Sequence, residues 1–316
     1  NGEVICERGF DGAERHYIRD LDGTVITTRL PDGTAVHHQH DQAGRLTYNK
    51  YTDGSWEAWE YDKAGRLTKA YNRDSVTEFV RNALGQVIKE TQDGRTVEHK
   101  YDERSRLSNI VSALGGNITY GYDIKGAVNH ISAGMSGKRK PWEADIAYDR
   151  FGRETSRMMP GCVENTMHYD SIGRPAHQRV RHNGRTLYDK SYTWGDNLRL
   201  LRTFDTINGR SVRYDYDAFG SLSGAVYGDG NRQWRNPDAM GNVYDSPDRT
   251  DRSYGRGGQL REDRKWQYYY DSHGNLVLKT MRSSGPSLDA GMRDEFLAWQ
   301  SGDYAYTWQG NGMLRS

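Results

Sequence analysis

The sequence has only two cysteines and no long apolar run, and these absences exclude several classes of protein. Cys6 and Cys162 are too few for a disulfide framework or a cysteine-rich zinc site. The apolar runs extend over no more than about five residues, whereas a membrane-spanning helix needs about 20. The first residues, Asn-Gly-Glu-Val-Ile-Cys-Glu-Arg, also contain no hydrophobic core of a signal peptide. We therefore expect neither a membrane span nor a signal peptide in this chain.

Net charge is also nearly absent, because 44 basic residues balance 43 acidic ones to give +1. A chain with this balance has no general electrostatic attraction to nucleic acid or to an anionic membrane. We therefore expect no nucleic-acid partner.

Large apolar side chains are scarce, since Leu, Ile, Val and Phe together make up only about 16% of the residues. A content below roughly 20% is one sign of a disordered chain. Disordered chains, however, usually also have a high net charge and few aromatics. This chain instead contains 22 Tyr and 8 Trp, whose rings can bury one face and keep a polar edge in water. The composition therefore predicts a thin apolar layer, such as an extended or curled sheet.

A repeated motif accounts for much of the tyrosine, aspartate and glycine content. The string Tyr-Asp-x-x-Gly occurs six times, and a seventh copy has Ser105 in place of Gly. Weaker copies lie between and beyond them, and we place two of these at Tyr192 and at Tyr306 with Gly310. The spacing of most copies, about 20 to 26 residues, is typical of repeat architectures. The predicted structural turn residues are Tyr61, Asp62, Gly65, Tyr101, Asp102, Tyr122, Asp123, Gly126, Tyr148, Asp149, Gly152, Tyr169, Asp170, Gly173, Tyr216, Asp217, Gly220, Tyr270, Asp271 and Gly274.

Each repeat is predicted to contain two strands and two turns, as residues 87–107 illustrate. Asp93-Gly94 favours a tight hairpin turn. The strand that follows, Arg95 to Tyr101, places Val97, His99 and Tyr101 on one face by its period of two. A second turn starts at Asp102, whose side chain can accept hydrogen bonds from nearby backbone N–H groups.

These repeats predict an all-β fold, a continuous antiparallel ribbon with its two kinds of turn on opposite edges. We expect residues 1–316 to form a single repeat region, with no separate toxin or delivery domain. The best helix candidate is a short insertion at 287–300.

Several side chains invite a chemical interpretation, but the repeat explains each of them more simply. His38 and His40 share a strand face and could form a metal pair, although they also fit as ordinary strand residues. The aspartates could include a glycosidase pair, but most of them lie at turns. The arginines after the motif glycine, Arg66, Arg153 and Arg174, could bind an anion or pair with a neighbouring Asp. The tryptophans could stack on sugars or pack on the sheet. We expect no catalytic residue, no metal and no cofactor.

The motif Tyr61-Asp62-Lys63-Ala64-Gly65-Arg66-Leu67 resembles the YD repeat of the Rhs family of bacterial polymorphic toxins. The stretches 246–260 and 270–279 resemble more specific segments of Rhs cores, and the resemblance covers residues 15–316. It implies that the ribbon coils into part of a hollow shell around a C-terminal toxin of the same longer polypeptide. It also implies a delivered effector made in the bacterial cytoplasm and used in interbacterial competition, often through type VI secretion. Secretion-apparatus proteins would then bind through N-terminal regions. Related shells occur in insecticidal toxin complexes and in teneurins.

One departure from the family pattern concerns the self-cleavage motif, which contains Asp-Pro at the end of Rhs cores. None of the seven prolines here follows an aspartate. We therefore expect the chain to be an internal portion of a longer core.

Three functions remain open on the sequence alone. The first is a non-enzymatic shell segment that encapsulates a toxin. The alternatives are an extracellular carbohydrate-binding or adhesion module and, last, an enzyme built on a repeat scaffold.

Overall fold

A computed structural model describes residues 2–135, 137, 141–281 and 303–315. The helix candidate at 287–300 lies outside these residues. The chain divides into two compact units, one formed by Asn1–Val76 with Asn236–Ser316 and the other by Thr77–Arg235.

The first part of the first unit is a run of antiparallel strands in which each strand pairs with the next along the chain. These strands are β1 (Cys6–Arg8), β2 (Glu14–Arg19), β3 (Val25–Arg29), β4 (Ala35–His40), β5 (Leu46–Tyr51), β6 (Trp56–Tyr61) and β7 (Leu67–Asn72).

The second unit continues the same pattern, with successive strands paired antiparallel throughout. Its strands are β8 (Val76–Arg81), β9 (Val87–Gln92), β10 (Arg95–Tyr101), β11 (Leu107–Ser112), β12 (Gly116–Tyr122), β13 (Val128–Met135), β14 (Trp142–Tyr148), β15 (Glu154–Met159), β16 (Val163–Tyr169), β17 (Pro175–His182), β18 (Arg185–Trp194), β19 (Leu200–Asp205), β20 (Arg210–Tyr216), β21 (Leu222–Tyr227) and β22 (Arg232–Trp234).

The rest of the first unit holds a two-stranded and a five-stranded sheet. Their strands are β23 (Asn236–Pro237), β24 (Val243–Tyr244), β25 (Ser253–Tyr254), β26 (Leu260–Glu262), β27 (Trp266–Tyr270), β28 (Leu276–Met281) and β29 (Tyr304–Ala305), with one 3₁₀ turn at Arg256–Gly258. The prediction of an all-β, antiparallel YD-repeat ribbon is confirmed.

Strand β10 shows how well the period of two holds. Val97, His99 and Tyr101 are half-buried, whereas Glu98 and Lys100 are exposed. The alternation predicted from the sequence is therefore confirmed for this strand.

The apolar interior is thin, in agreement with the scarcity of aliphatic residues. Most strand residues in the described part of the chain are only half-buried. The few buried apolar side chains are Val36, Tyr51, Ala58, Ala144, Ile146 and Leu278. Stability must therefore come largely from backbone pairing and from polar and aromatic contacts between strands.

The hairpin turn after each Tyr position combines a tight turn with a β-bulge. At Asp62 the backbone N–H donates to the carbonyl of Arg66 at 2.9 Å, and the Gly65 N–H donates to the Asp62 carbonyl at 3.0 Å. Tyr61 then pairs with Leu67 across a one-residue register shift. Gly65 has a φ of 81°, in the left-handed region that favours glycine at such bulges.

Candidate functional site

The Asp side chain of each Tyr-Asp turn holds the turn closed. Oδ1 of Asp62 accepts hydrogen bonds from the backbone N–H groups of Ala64 and Arg66, both at 2.9 Å. Oδ2 accepts from Nε of Arg66 at 2.7 Å. Hydrogen bonds from the Arg66 backbone and side chain lower the pKa of Asp62. The carboxylate therefore stays charged and satisfies donors that the turn would otherwise leave unpaired.

The other predicted turn aspartates take the same position. Each accepts backbone hydrogen bonds from residues two and four places further along; they are Asp102, Asp123, Asp149, Asp170, Asp217 and Asp271. The predicted motif glycines all have positive φ; they are Gly65, Gly126, Gly152, Gly173, Gly220 and Gly274. Ser105 occupies the glycine position with a φ of 63°, which is strained for a residue with a side chain.

The Tyr hydroxyl of each motif links its repeat to the preceding one. Tyr61 Oη donates to the carbonyl of Leu46 at 2.8 Å, and that carbonyl belongs to the strand just after the previous turn. The same link is made by Tyr101, Tyr122, Tyr148, Tyr169, Tyr216 and Tyr270. We call this set of contacts, together with the two tryptophan contacts described next, the inter-repeat ladder.

Two tryptophans replace Tyr in the ladder, and they correct two sequence assignments. Trp194 Nε1 donates to the carbonyl of Pro175 at 2.6 Å, so Trp194 takes the place that we assigned to Tyr192. Trp308 Nε1 donates to the carbonyl of Leu276 at 2.9 Å, and its turn ends at Gly312, not at Gly310. The assignments at Tyr192 and at Tyr306 with Gly310 were therefore each two residues early. A search for Tyr alone misses them, although the indole N–H is an equivalent donor.

The arginine after the motif glycine reinforces the same connection. In the second unit, the guanidinium of Arg106 pairs with Asp102 of its own turn at 2.6 Å. It also lies 4.2 Å from the ring centre of Tyr122 in the next repeat. Arg66, Arg153 and Arg174, the candidates for an anion site, are likewise paired with the Asp of their own turns. Arg106, Arg153 and Arg174 thus hold turns and rings together. Arg66 holds its own turn.

Gly220 offers a test of this packing, because a Cβ placed there would lie 1.7 Å from Nη2 of Arg199, whose guanidinium covers the ring of Tyr216. At Gly152, by contrast, a Cβ would meet nothing within 4 Å, while φ is similar. We expect Gly152→Ala to lower the free energy of unfolding by about 1 kcal/mol from backbone strain alone. Gly220→Ala should lower it by about 2 kcal/mol, because the arginine must also leave the ring. Urea denaturation of both variants measures the difference, and equal losses would show that the arginine contact contributes nothing.

The histidines that suggested a metal pair have other partners. His38 Nε2 lies 2.9 Å from Oγ1 of Thr28, and its Nδ1 lies 2.7 Å from Oδ1 of Asn49. His40 stands in the Tyr position of its repeat and pairs with Leu46. Both ring nitrogens of His38 are thus engaged within the sheet.

A cavity of about 370 Å³ lies within the first unit and brings early and late repeats together. His273 Nε2 lies 2.7 Å from Oδ2 of Asp32, and the backbone N–H of Gly310 donates to Oδ2 of Asp53 at 2.9 Å. Burial opposes ionisation of Asp32, but hydrogen bonds from Thr34 and His273 outweigh it and lower its pKa. Burial opposes ionisation of Asp53 as well, but hydrogen bonds from Ser55 and Gly310 outweigh it and lower its pKa too. Both carboxylates are therefore ionised, and both already accept hydrogen bonds within the chain.

In the described part of the chain no helix is long and apolar enough to span a membrane.

Comparison with known proteins agrees with this repeat geometry. The chain is 27% identical over 183 residues to a protein named "Probable deoxyribonuclease RhsA" from Dickeya dadantii (strain 3937), a match that covers 55% of this chain but only 12% of that relative. The crystal structure of TcdB2-TccC3 matches 99% of this chain with a TM-score of 0.71 at 14% identity, over 20% of its own length. A structure of the Photorhabdus luminescens Tc holotoxin pore matches with a TM-score of 0.65 at 14% identity, covering 99% of this chain and 19% of that one.

The family model described as "Teneurin YD-shell" matches residues 58–240, which is more than half of the chain. The matched segment includes the Tyr-Asp turns of the second unit and most of the inter-repeat ladder. The Rhs/YD-repeat resemblance stated from the sequence is confirmed, and the chain belongs to the teneurin YD-shell family.

Proposed function

We propose that the chain is a structural wall segment of a bacterial Rhs toxin and helps to enclose a C-terminal toxin segment of the same longer polypeptide. The chain spans about an eighth of its Rhs relative and about a fifth of the matched Tc toxin chains. A protein of that kind would supply further repeats, together with the segment to be enclosed.

The observation that carries the proposal is a row of exposed apolar side chains along the turns that follow the Tyr positions of the second unit. Two of these turns begin with Asn82 and Gly195 in place of Asp. Each side chain lies inside its turn or at the last residue of that turn, and each is 63–92% exposed. They are Leu84, Ile124, Phe151, Ile172, Leu198 and Phe219. Apolar groups in such numbers on one edge indicate a surface that another element covers. In a coiled ribbon that element would be the adjacent turn of the same wall.

The chemistry of the repeats favours a non-enzymatic role. The motif aspartates, arginines and tyrosines hold turns and join repeats, as at Asp62, Arg66 and Tyr61. We extend the proposal to delivery of the whole polypeptide as an effector, by a route such as type VI secretion, against competing bacteria or host cells. The enclosed toxin and the secretion-apparatus proteins are its proposed partners.

The cavity of the first unit favours a second candidate, a carbohydrate-binding or adhesion module. Trp308 and the carboxylates of Asp32, Asp53 and Asp271 line it. Each of these carboxylates accepts three hydrogen bonds within the chain and keeps capacity for a further donor, since a carboxylate offers about four lone-pair sites. An aromatic ring beside such acceptors is a combination suited to sugar ring faces and hydroxyls.

Electron cryo-microscopy of the complete polypeptide, compared with a version truncated after the shell, tests the container proposal. We expect density inside the shell of the complete polypeptide, and its loss in the truncated one. Density for the terminal segment outside the shell would overturn the proposal. Binding of the chain to a glycan array, abolished by Trp308→Ala, would instead favour the carbohydrate-binding module.

A further inference from the structure

The first hairpin of the chain brings together three metal-ligating side chains. Strand β1 pairs antiparallel with β2 so that Cys6 lies directly opposite His16, and Arg8 lies opposite Glu14. Because side chains two residues apart share a strand face, Glu14 and His16 project on the same side as Cys6. All three side chains are exposed.

The distances between the donor atoms fit a tetrahedral metal ion. Cys6 Sγ lies 3.9 Å from Nε2 of His16, and Oε2 of Glu14 lies 3.5 Å from the same nitrogen. All three donor atoms lie within 4.8 Å of one another. Usual zinc–ligand bond lengths at tetrahedral angles place sulfur and nitrogen about 3.6 Å apart, and nitrogen and oxygen about 3.3 Å apart. Exposed side chains shift easily by a few tenths of an ångström. Such shifts would bring the sulfur–nitrogen and nitrogen–oxygen distances to the values that a zinc site requires.

The nearby Arg8 leaves one carboxylate oxygen of Glu14, the Oε2 atom that faces His16, available to bind a metal ion. Nε of Arg8 lies 3.7 Å from Oε1 of Glu14, the oxygen that does not face His16. Thiolate, imidazole and carboxylate together are donors that zinc accepts, and three protein ligands leave one position for water.

We propose that Cys6, Glu14 and His16 bind one Zn²⁺ ion, with water as the fourth ligand. A motif of paired cysteines does not identify this site in the sequence, because its single cysteine lies beside ligands from the neighbouring strand. Strand β1 has only three residues and pairs with β2 alone among the described strands. The bound ion would cross-link this short strand to β2 and hold the hairpin together.

Titration of the metal-free chain with Co²⁺ and Zn²⁺, under reducing conditions, tests the site. We expect one equivalent of Co²⁺ to bind with a sulfur-to-metal charge-transfer band in the near ultraviolet, and Zn²⁺ to displace it. Cys6→Ser should abolish the band, and His16→Gln and Glu14→Gln should each weaken Zn²⁺ binding by more than about tenfold.

The matched controls are Cys162→Ser, which removes the other exposed cysteine, and His37→Gln, which removes a histidine of another strand. Both should bind as the unchanged chain does. Hydrogen–deuterium exchange of β1 should slow when Zn²⁺ is added. The absence of stoichiometric binding, or equal loss of the band in Cys6→Ser and Cys162→Ser, would overturn the assignment.

Discussion

Replacing Asp189 by alanine should lower the free energy of unfolding of the second unit by about 2 to 3 kcal/mol. Asp189 is buried in β18 and accepts from Nε of Arg179 at 2.7 Å, while its Oδ1 lies 2.6 Å from Nε2 of His177. Thr206 Oγ1 also donates to it at 3.2 Å. Removal of the carboxylate leaves Arg179, His177 and Thr206 without their shared hydrogen-bond acceptor in a partly desolvated environment. Chemical denaturation followed by tryptophan fluorescence measures the loss.

Asp145 supplies the matched control, because it also pairs with a histidine, His130, at 2.7 Å, but with a side chain that is 73% exposed. An exposed ion pair contributes little to stability, so Asp145→Ala should leave the unfolding curve nearly unchanged. Equal effects of the two substitutions would show that burial of Asp189 does not matter.

The effect of Asp189 should also depend on pH. Burial opposes its ionisation, but hydrogen bonds from His177 and Arg179 outweigh this and lower its pKa. Its contribution to stability is therefore fully present above the unfolded-state pKa of about 3.9 and is lost as pH falls through the lower folded value. The gap in stability between the unchanged chain and Asp189→Ala should narrow below about pH 4. A gap that stays constant down to pH 2 would contradict this linkage.

The local structure of the repeats could be predicted from the sequence because short-range rules determine it. Glycine at a turn end and aspartate at its start specify a hairpin whatever surrounds it, and alternation along β10 follows from the period of two. The strand Arg95–Tyr101 was placed with its observed bounds for this reason.

The contacts between repeats could not be predicted in the same way, because they depend on strand register. The reach of Tyr122 Oη to the carbonyl of Leu107 follows only once the bulge between Gly121 and Tyr122 is known. The same holds for Cys6 and His16, which ten residues separate in sequence and pairing places face to face. The substitution of Trp194 for tyrosine was missed because the motif was defined by residue type and not by its N–H or O–H donor.

The central claim is that this ribbon is a wall that separates an enclosed segment from solvent. The most direct measurement is the rate at which an added protease cleaves the segment that follows the shell in the complete polypeptide. The reference is a version that lacks residues 1–316. The intact wall should slow cleavage at least about tenfold, because a protease reaches an enclosed segment only through transient opening. Equal cleavage rates in the two versions would contradict the account.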